Sequence, residues 1–294
     1  MKICKLQGGL GNQMFQYAAT RAAETNYRKK IYLDNLFLSL NKQSTDTYTA
    51  RESELHIFHS LRATFLSLNI RKLIFSQNSI CRLFRKLSGF RIYPVVQSGN
   101  TIVDIPSSGN LYLDGFFQSE KYFQNIRQDV IRDFSFPVLD SVNEQLISQI
   151  SKDKNPVSIH VRRGDYVNLK NANEMHGVLP IEYYKKSVEL LRSELKDNDQ
   201  TFYIFSDDPE YIKEQFTFLE NSCIVCHNSG KDSWKDMCLM KACKHHIIAN
   251  SSFSWWGAWL CQYEGITIAP ARWFSDKNTF DIHDFIPSGW QVVE

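Results

Sequence analysis

Two adjacent arginines, Arg162 and Arg163, follow Val157-Ser158-Ile159-His160-Val161 and lead into Gly164-Asp165-Tyr166. Planar guanidiniums grip phosphate or pyrophosphate through paired N–H donors. Alternating Val157, Ile159 and Val161, behind the breaker Asn155-Pro156, predict a strand. The pair then sits at a strand's carboxyl end, where α/β folds bind ligands. A surface Arg–Asp pair is the plainer explanation of these residues alone, and three further segments argue against it.

Gly8-Gly9-Leu10-Gly11-Asn12-Gln13 joins a predicted strand to a predicted helix, where free backbone N–H groups can hold an anion. No glycine falls three residues after Gly11, so this is not the dinucleotide fingerprint, and no Gly-Lys-Ser/Thr makes it a Walker A loop. A tight βα turn explains it equally well. Ser206-Asp207-Asp208-Pro209 leaves a second strand. A carboxylate there can accept from guanine N1–H and its amine, accept from sugar hydroxyls, or cap a helix that starts at the proline. One aspartate can cap while the other binds. Asn250-Ser251-Ser252-Phe253-Ser254 precedes Trp255-Trp256-Gly257-Ala258-Trp259. The hydroxyls of Ser251, Ser252 and Ser254 add donors to a helix N-terminus, a seat for phosphate. Phe253 and Trp255 add aromatic surface, whereas Trp256 and Trp259 read as core.

Metal chemistry finds little support. The one Asp-x-Asp in this part of the chain, Asp197-Asn198-Asp199, lies in a polar loop before a strand. Cys223-x2-Cys226, with His227, Cys238, Cys243, His245 and His246 nearby, has a zinc-like spacing. Ile224-Val225 reads as a strand that points the pair awkwardly for a knuckle, and Cys238 and Cys243 have core-like spacing in a helix, so free core thiols are the commoner explanation.

These residues need strands and helices to hold them. Strands are expected at 2–6, 31–34, 111–114, 157–161, 201–205, 224–225, 246–249 and 265–269. Helices are expected at 14–26, 61–69, 71–87, 120–134, 142–152, 181–196, 234–243 and 255–261. Repeated strand–helix alternation gives an α/β class with parallel sheet. We expect two domains, 1–152 and 153–294, with a basic helical insertion near 55–100 in the first.

The 294 residues are 43% hydrophobic and 22% charged, which fits a soluble globular protein of about two domains. A net charge of +2 carries no signal of an acidic partner, and nucleic acid is not expected. The distribution says more, because no acid falls between Glu54 and Asp104. That span holds Arg62, Arg71, Lys72, Arg82, Arg85, Lys86 and Arg91. A solvated face and a basic helix against anionic lipid explain it about equally. The charged N-terminus lacks a signal-peptide core and no apolar run reaches spanning length. A cytoplasmic protein with seven reduced cysteines is expected, with peripheral membrane contact as an option.

Together the segments resemble one family. Gly8 to Tyr17, His160 to Tyr166 with an HxRRxD pattern, Phe205 to Asp208 and Asn250 to Gly257 look like the motifs of the α1,2-fucosyltransferases, glycosyltransferase family 11, of the soluble bacterial type. The resemblance implies a GT-B fold: two Rossmann-like domains with parallel sheets facing across a cleft. It implies inverting transfer of L-fucose from GDP-β-L-fucose to the 2-hydroxyl of a terminal galactose, on a free or lipid-linked acceptor, in surface-glycan synthesis such as O-antigen or capsule. It implies no metal and no cofactor beyond the co-substrate. By the same resemblance Arg162 and Arg163 meet the leaving diphosphate, helped by Ser251, Ser252 and Ser254. Gly11 and Asn12 approach the phosphate and fucose, His160 with Asp207 or Asp208 holds guanine, and Phe253 packs near base or sugar. Asp165 is either the catalytic base or the partner that orients an arginine. Glu120, Asp34 and Asp114 are the other acids at strand ends, and early C–O cleavage would need no strong base. Another nucleotide-sugar transferase, or a non-catalytic glycan- or nucleotide-binding protein, are the competing readings.

Overall fold

The computed structural model describes residues 1–26, 29–45, 49–99, 101–163, 177–197, 199–274 and 281–294. The chain divides into two units: Met1–Ser44 with Ala50–Ser135, and Thr45–Thr49 with Phe136–Glu294.

The first unit contains β1 (Lys2–Lys5), α1 (Leu10–Ala23), β2 (Ile31–Asp34), α2 (Leu36–Leu40), β3 (Ala63–Phe65), α3 (Leu68–Phe75), α4 (Ser79–Ser88), β4 (Tyr93–Val96), β5 (Leu111–Asp114) and α5 (Arg127–Asp133). Its five strands are parallel, in the order β3-β2-β1-β5-β4. Two edge strands escaped the sequence reading. β3 lies within the stretch expected as helix 61–69, and β4 carries Pro94, which an edge strand tolerates. The basic stretch thus supplies both sheet edges as well as two helices. The expected helix 71–87 is broken at Ser76-Gln77-Asn78, where the Asn78 side chain caps α4 by accepting from Ile80 N–H. The expected helix 120–134 is two short 3-10 turns followed by α5.

The second unit contains α6 (Ser141–Ile150), β6 (Asn155–Val161), α7 (Ile181–Leu195), β7 (Gln200–Ser206), α8 (Pro209–Gln215), β8 (Ser222–Val225), α9 (Trp234–Ala242), β9 (His245–Ile247), α10 (Ser252–Trp259), β10 (Thr267–Pro270), α11 (Ile282–Phe285) and β11 (Gln291–Val293). Its six parallel strands run β8-β7-β6-β9-β10-β11, the doubly wound order in which the winding reverses between β6 and β9. Helix α6 packs Leu146, Ile147 and Ile150 against Tyr203, Phe205 and Val225, so it belongs to this unit and the division falls earlier than residue 152.

All seven residues of β6 are buried, as a central parallel strand requires. Val157, Ile159 and Val161 pack with α7 residues Tyr184, Val188 and Leu191. The intervening residues face the other layer, where Ser158 Oγ meets His246 Nδ1 at 2.8 Å and the His160 ring meets Phe253. The alternation that suggests a half-exposed strand is here a strand with two different cores. No described helix is long and apolar enough to cross a membrane.

Candidate active site

The carboxyl ends of parallel strands share one edge of a sheet, and a doubly wound sheet leaves a crevice there where its winding reverses. In the second unit that point lies between β6, which ends just before Arg162, and β9, which leads through Ile248, Ala249 and Asn250 into α10. Three of the four sequence segments therefore meet at one edge because of strand order.

The arginines are held by the aspartates that follow β7. Arg162 Nη1 lies 2.7 Å from Asp207 Oδ2, and Asp207 Oδ1 accepts from Arg163 backbone N–H at 2.9 Å. Arg163 Nε donates to Asp208 Oδ2 at 3.0 Å. The Arg163 guanidinium also lies over the Tyr211 ring, 3.6 Å from its centroid. Its terminal nitrogens make no hydrogen bond to a described residue. Partly exposed pairs of this kind stabilise a fold by only about 0–1 kcal/mol each, so their consequence is orientation. The Arg–Asp pairs seen here are made with Asp207 and Asp208 after the next strand, whereas a pair with Asp165 lies outside the described residues, and they hold both guanidiniums at the carboxyl edge of the sheet.

Asp208 has a second task. Its side chain accepts from Tyr211 N–H at 3.1 Å and caps α8, with Pro209 in the first turn. The Ser206 hydroxyl accepts in turn from Asp208 N–H at 3.0 Å. Both aspartates expected at guanine are therefore engaged with arginines, and one is a cap as well.

His160 is buried, and Tyr184 donates to its carbonyl at 3.2 Å. Burial first, then the neighbouring Arg162 charge, pull its imidazole down to about 3, so the ring is neutral near pH 7. Its Nδ1 is buried without a hydrogen-bond partner among the described residues. The ring lies 5.8 Å from that of Phe253, which joins the core formed by Tyr203, Phe205, Leu239 and Met240.

Helix α10 starts at Ser252, three residues before the expected 255, and this sorts the hydroxyls. Ser251 is the N-cap, accepting from Phe253 N–H at 3.3 Å. Ser254 is buried and donates back to the carbonyls of Ser251 and Ala249 at 3.3 and 3.5 Å, which turns it away from any ligand. Ser252 makes no side-chain hydrogen bond to a described residue, and is the hydroxyl left for an anion. Trp255, Trp256 and Trp259 are all buried and pack on one another, as core.

Gly11 and Asn12 belong to the first unit. Helix α1 begins at Leu10, so both are in its first turn, after the true loop of Gln7, Gly8 and Gly9. Asn12 Oδ1 accepts from Gln118 Nε2 at 2.6 Å, beyond the end of β5. Gln13 donates to the carbonyls of Gly8 and Glu52, and Gln16 bonds both backbone groups of Gln7. Tyr17 is buried and donates to Asp133 at 2.7 Å. Much of this N-terminal motif therefore shapes the loop from behind. Among the acids considered as bases, Asp34 is paired with Arg71 and Asp114 with Lys5. Asp165 lies outside the described residues, as do Gly164 and Tyr166. All seven cysteines are free thiols, and no cluster of three metal-ligating side chains occurs among the described residues.

Two residues at this edge went unnoticed in the sequence. Tyr211 is in the first turn of α8, and nothing in its spacing marks it as the platform for Arg163. Asp236, in the first turn of α9 after β8, is buried and accepts from Asn228 Nδ2 at 2.7 Å. Desolvation raises its carboxyl to about 7. An acid in a helix's first turn normally reads as dipole complement, which hid it.

Paired guanidiniums, a neutral buried imidazole and a capped helix N-terminus thus lie around one reversal of winding in the second unit, groups whose chemistry suits a phosphorylated ligand. The family follows from the sequence as a whole: the model of glycosyl transferase family 11 matches residues 2–294, and the chain belongs to that family. It is thus a glycosyltransferase. An α-1,2-colitosyltransferase of Escherichia coli is 34% identical, over 99% of this chain and 98% of the relative. The O-antigen biosynthesis glycosyltransferase WbnK of Escherichia coli is 30% identical, over 93% and 95%. Human galactoside α-(1,2)-fucosyltransferase 1 is 24% identical over 54% of this chain and 45% of that enzyme.

Proposed function

We propose that this protein is an inverting α1,2-fucosyltransferase that moves L-fucose from GDP-β-L-fucose to the 2-hydroxyl of a terminal galactose, during surface-glycan synthesis in the cytoplasm. The observation that carries the reading is the arginine pair after β6, aligned by Asp207 and Asp208 at the reversal point of the sheet.

Cleaving the sugar–phosphate bond leaves negative charge on the diphosphate, and donors fixed in place before the reaction stabilise that charge most effectively. Arg162 and Arg163 supply cationic N–H groups, and Ser252 with the first turn of α10 supplies hydroxyl and backbone donors. This set does the work that a divalent cation would do elsewhere, which is the basis for proposing a metal-independent reaction. His160, neutral and with Nδ1 unpartnered among the described residues, is the polar group for guanine, and Phe253 beside it gives the base an apolar wall. Asp207 and Asp208 act in this reading by aligning the arginines. Asp165 keeps both roles that its place in the motif allows, base or orienting partner.

A second donor is favoured by the 34% relative, which is named a colitosyltransferase. Colitose is fucose without its 3-hydroxyl, so the same leaving group and the same α1,2 linkage would serve. The test is incubation with lactose and either GDP-fucose or GDP-colitose, with EDTA present, followed by linkage analysis of the product. An α1,2-fucosylated product is expected. Transfer from GDP-colitose alone selects the second donor, and neither transfer nor donor hydrolysis across a panel of galactosides refutes both. Loss of transfer on adding EDTA refutes metal independence.

A further inference from the structure

Helix α4 sits the wrong way round for a helix on a globular surface. Ile80, Leu83, Phe84 and Leu87 recur at helical spacing and form one apolar stripe. Such a stripe ordinarily faces a core. Here the four side chains are exposed, at 77%, 56%, 48% and 78%, and no residue of the helix is buried. The contact with the body comes from another side of the helix, where Arg85 Nη1 and Nη2 donate to the carbonyls of Leu73 and Ser76, both at 2.7 Å. Those carbonyls belong to the end of α3, where helical partners run out. Asn78 caps the start of α4 and Gly89, at φ +65°, closes its end. The outward stripe is therefore part of a well-terminated helix, anchored by its polar side.

The surroundings narrow what can cover it. No acid lies between Glu54 and Asp104. Arg71 is neutralised by Asp34, and Arg85 is used on α3. Arg82 and Lys86 pair with no described residue, and with Gln77 and Ser79 they line a shallow concavity beside Leu83. A second copy docked through the same face about a two-fold axis would set this acid-free segment against itself, like charge on like. A bilayer rich in anionic lipid complements both features, taking apolar side chains at the acyl boundary and cations among the phosphates.

We propose that α4 lies in the plane of an anionic membrane and seats the first unit on it. The inference does not depend on the sugar-transfer reading, since it concerns a surface that needs no donor or acceptor. The test is co-sedimentation of the whole chain with vesicles of phosphatidylcholine alone or mixed with phosphatidylglycerol. Binding is expected only to the anionic vesicles, and should fall steeply as added salt shortens the reach of the charges. Leu83→Asp with Phe84→Asp should abolish it. Arg82→Ala with Lys86→Ala should weaken it about 25-fold, at roughly a factor of five per basic residue. Because nothing in α4 is buried, both variants should keep the parent's circular dichroism and Tm, which confirms that lost binding is not lost folding. Absent binding to anionic vesicles, or binding that the Leu83/Phe84 variant retains, overturns the proposal. So does a lipid-free dimer that this variant dissociates, since the stripe would then belong to a second copy.

Discussion

At the scale of single residues, the site is a set of charges arranged in pairs. Arg162 and Arg163 face Asp207 and Asp208, so their local sum is near zero and the pairs present aligned donors rather than a strongly positive well. If those donors carry the charge of departure, Arg162→Ala and Arg163→Ala should each lower kcat by roughly 10² or more, the scale for losing one fixed donor. Initial-rate kinetics with saturating donor checks this, and near-normal turnover in both variants refutes the phosphate role. The residue types were legible in the sequence, because two guanidiniums after an apolar alternation have few uses. Which partner each would take was not. Asp207 and Asp208 lie more than forty positions away from the arginines, and only the β6–β7 register, which sets Val161 beside Ser206, brings them together. Tyr211 and Asp236 were illegible for the same reason: each does its work through a neighbour in space.

At the scale of elements, the start of a helix decided more than its length. Moving the start of α10 from 255 to Ser252 made Ser251 a cap, turned Ser254 inward and left Ser252 outward. The serine run marks a helix start but does not say which serine caps, since each can. The N-terminal loop shows a different limit. Gly8 has φ +74°, and a Cβ there would lie 2.5 Å from Asn12 Nδ2. Gly8→Ala should therefore cost roughly 1–2 kcal/mol of stability from the left-handed backbone alone, and should also displace Asn12 from Gln118. A urea unfolding midpoint equal to the parent's would show that the loop relaxes without strain. The strand at 201–205 was plain in the sequence because a buried parallel strand is an apolar run, and that at 157–161 because Val157, Ile159 and Val161 alternate behind the breaker Asn155-Pro156. The exposed edge strands β3 and β4 carry mixed residues and gave no such signal.

At the scale of the whole molecule, three buried histidines set a pH dependence. Burial lowers His160 and His246 to about 3 and His245 to about 4, from an ordinary value near 6.5. Below pH 6.5 the unfolded chain binds protons that the folded chain refuses. Their contribution to stability is therefore complete above about 6.5 and is lost as pH falls toward 4 and 3. Asp236 opposes them: its carboxyl, raised to about 7, favours the folded chain at lower pH and costs stability as pH rises from about 4 to 7. Burial raises Glu54 and Asp133 as well, which side with Asp236, while Lys235 holds Asp140 down and Lys154 holds Asp197 down, which side with the histidines. The wide span of the three histidines leaves a net loss on acidification. Calorimetry should find a lower Tm at about pH 5 than at about pH 7.5, and an equal or higher Tm would mean that these rings take up protons in the folded state. The α/β class and its parallel sheets were readable from strand–helix alternation. The doubly wound order was not, because alternation fixes the succession of strands but not the side of β6 on which β9 is added.

The double duty of Asp208 limits how this site can change by mutation. One carboxylate oxygen accepts from Tyr211 N–H and the other from Arg163 Nε, so α8 and the arginine depend on the same side chain. Asparagine would keep the cap but put an amide against a guanidinium, and glutamate would keep the charge but lengthen the stem past the cap. Asp207 carries no helix cap, although its two oxygens hold the Arg162 guanidinium and the Arg163 backbone N–H. In a mutational library across this edge, tolerance should be markedly uneven between two neighbouring residues of the same type, with the burden of local folding on the second.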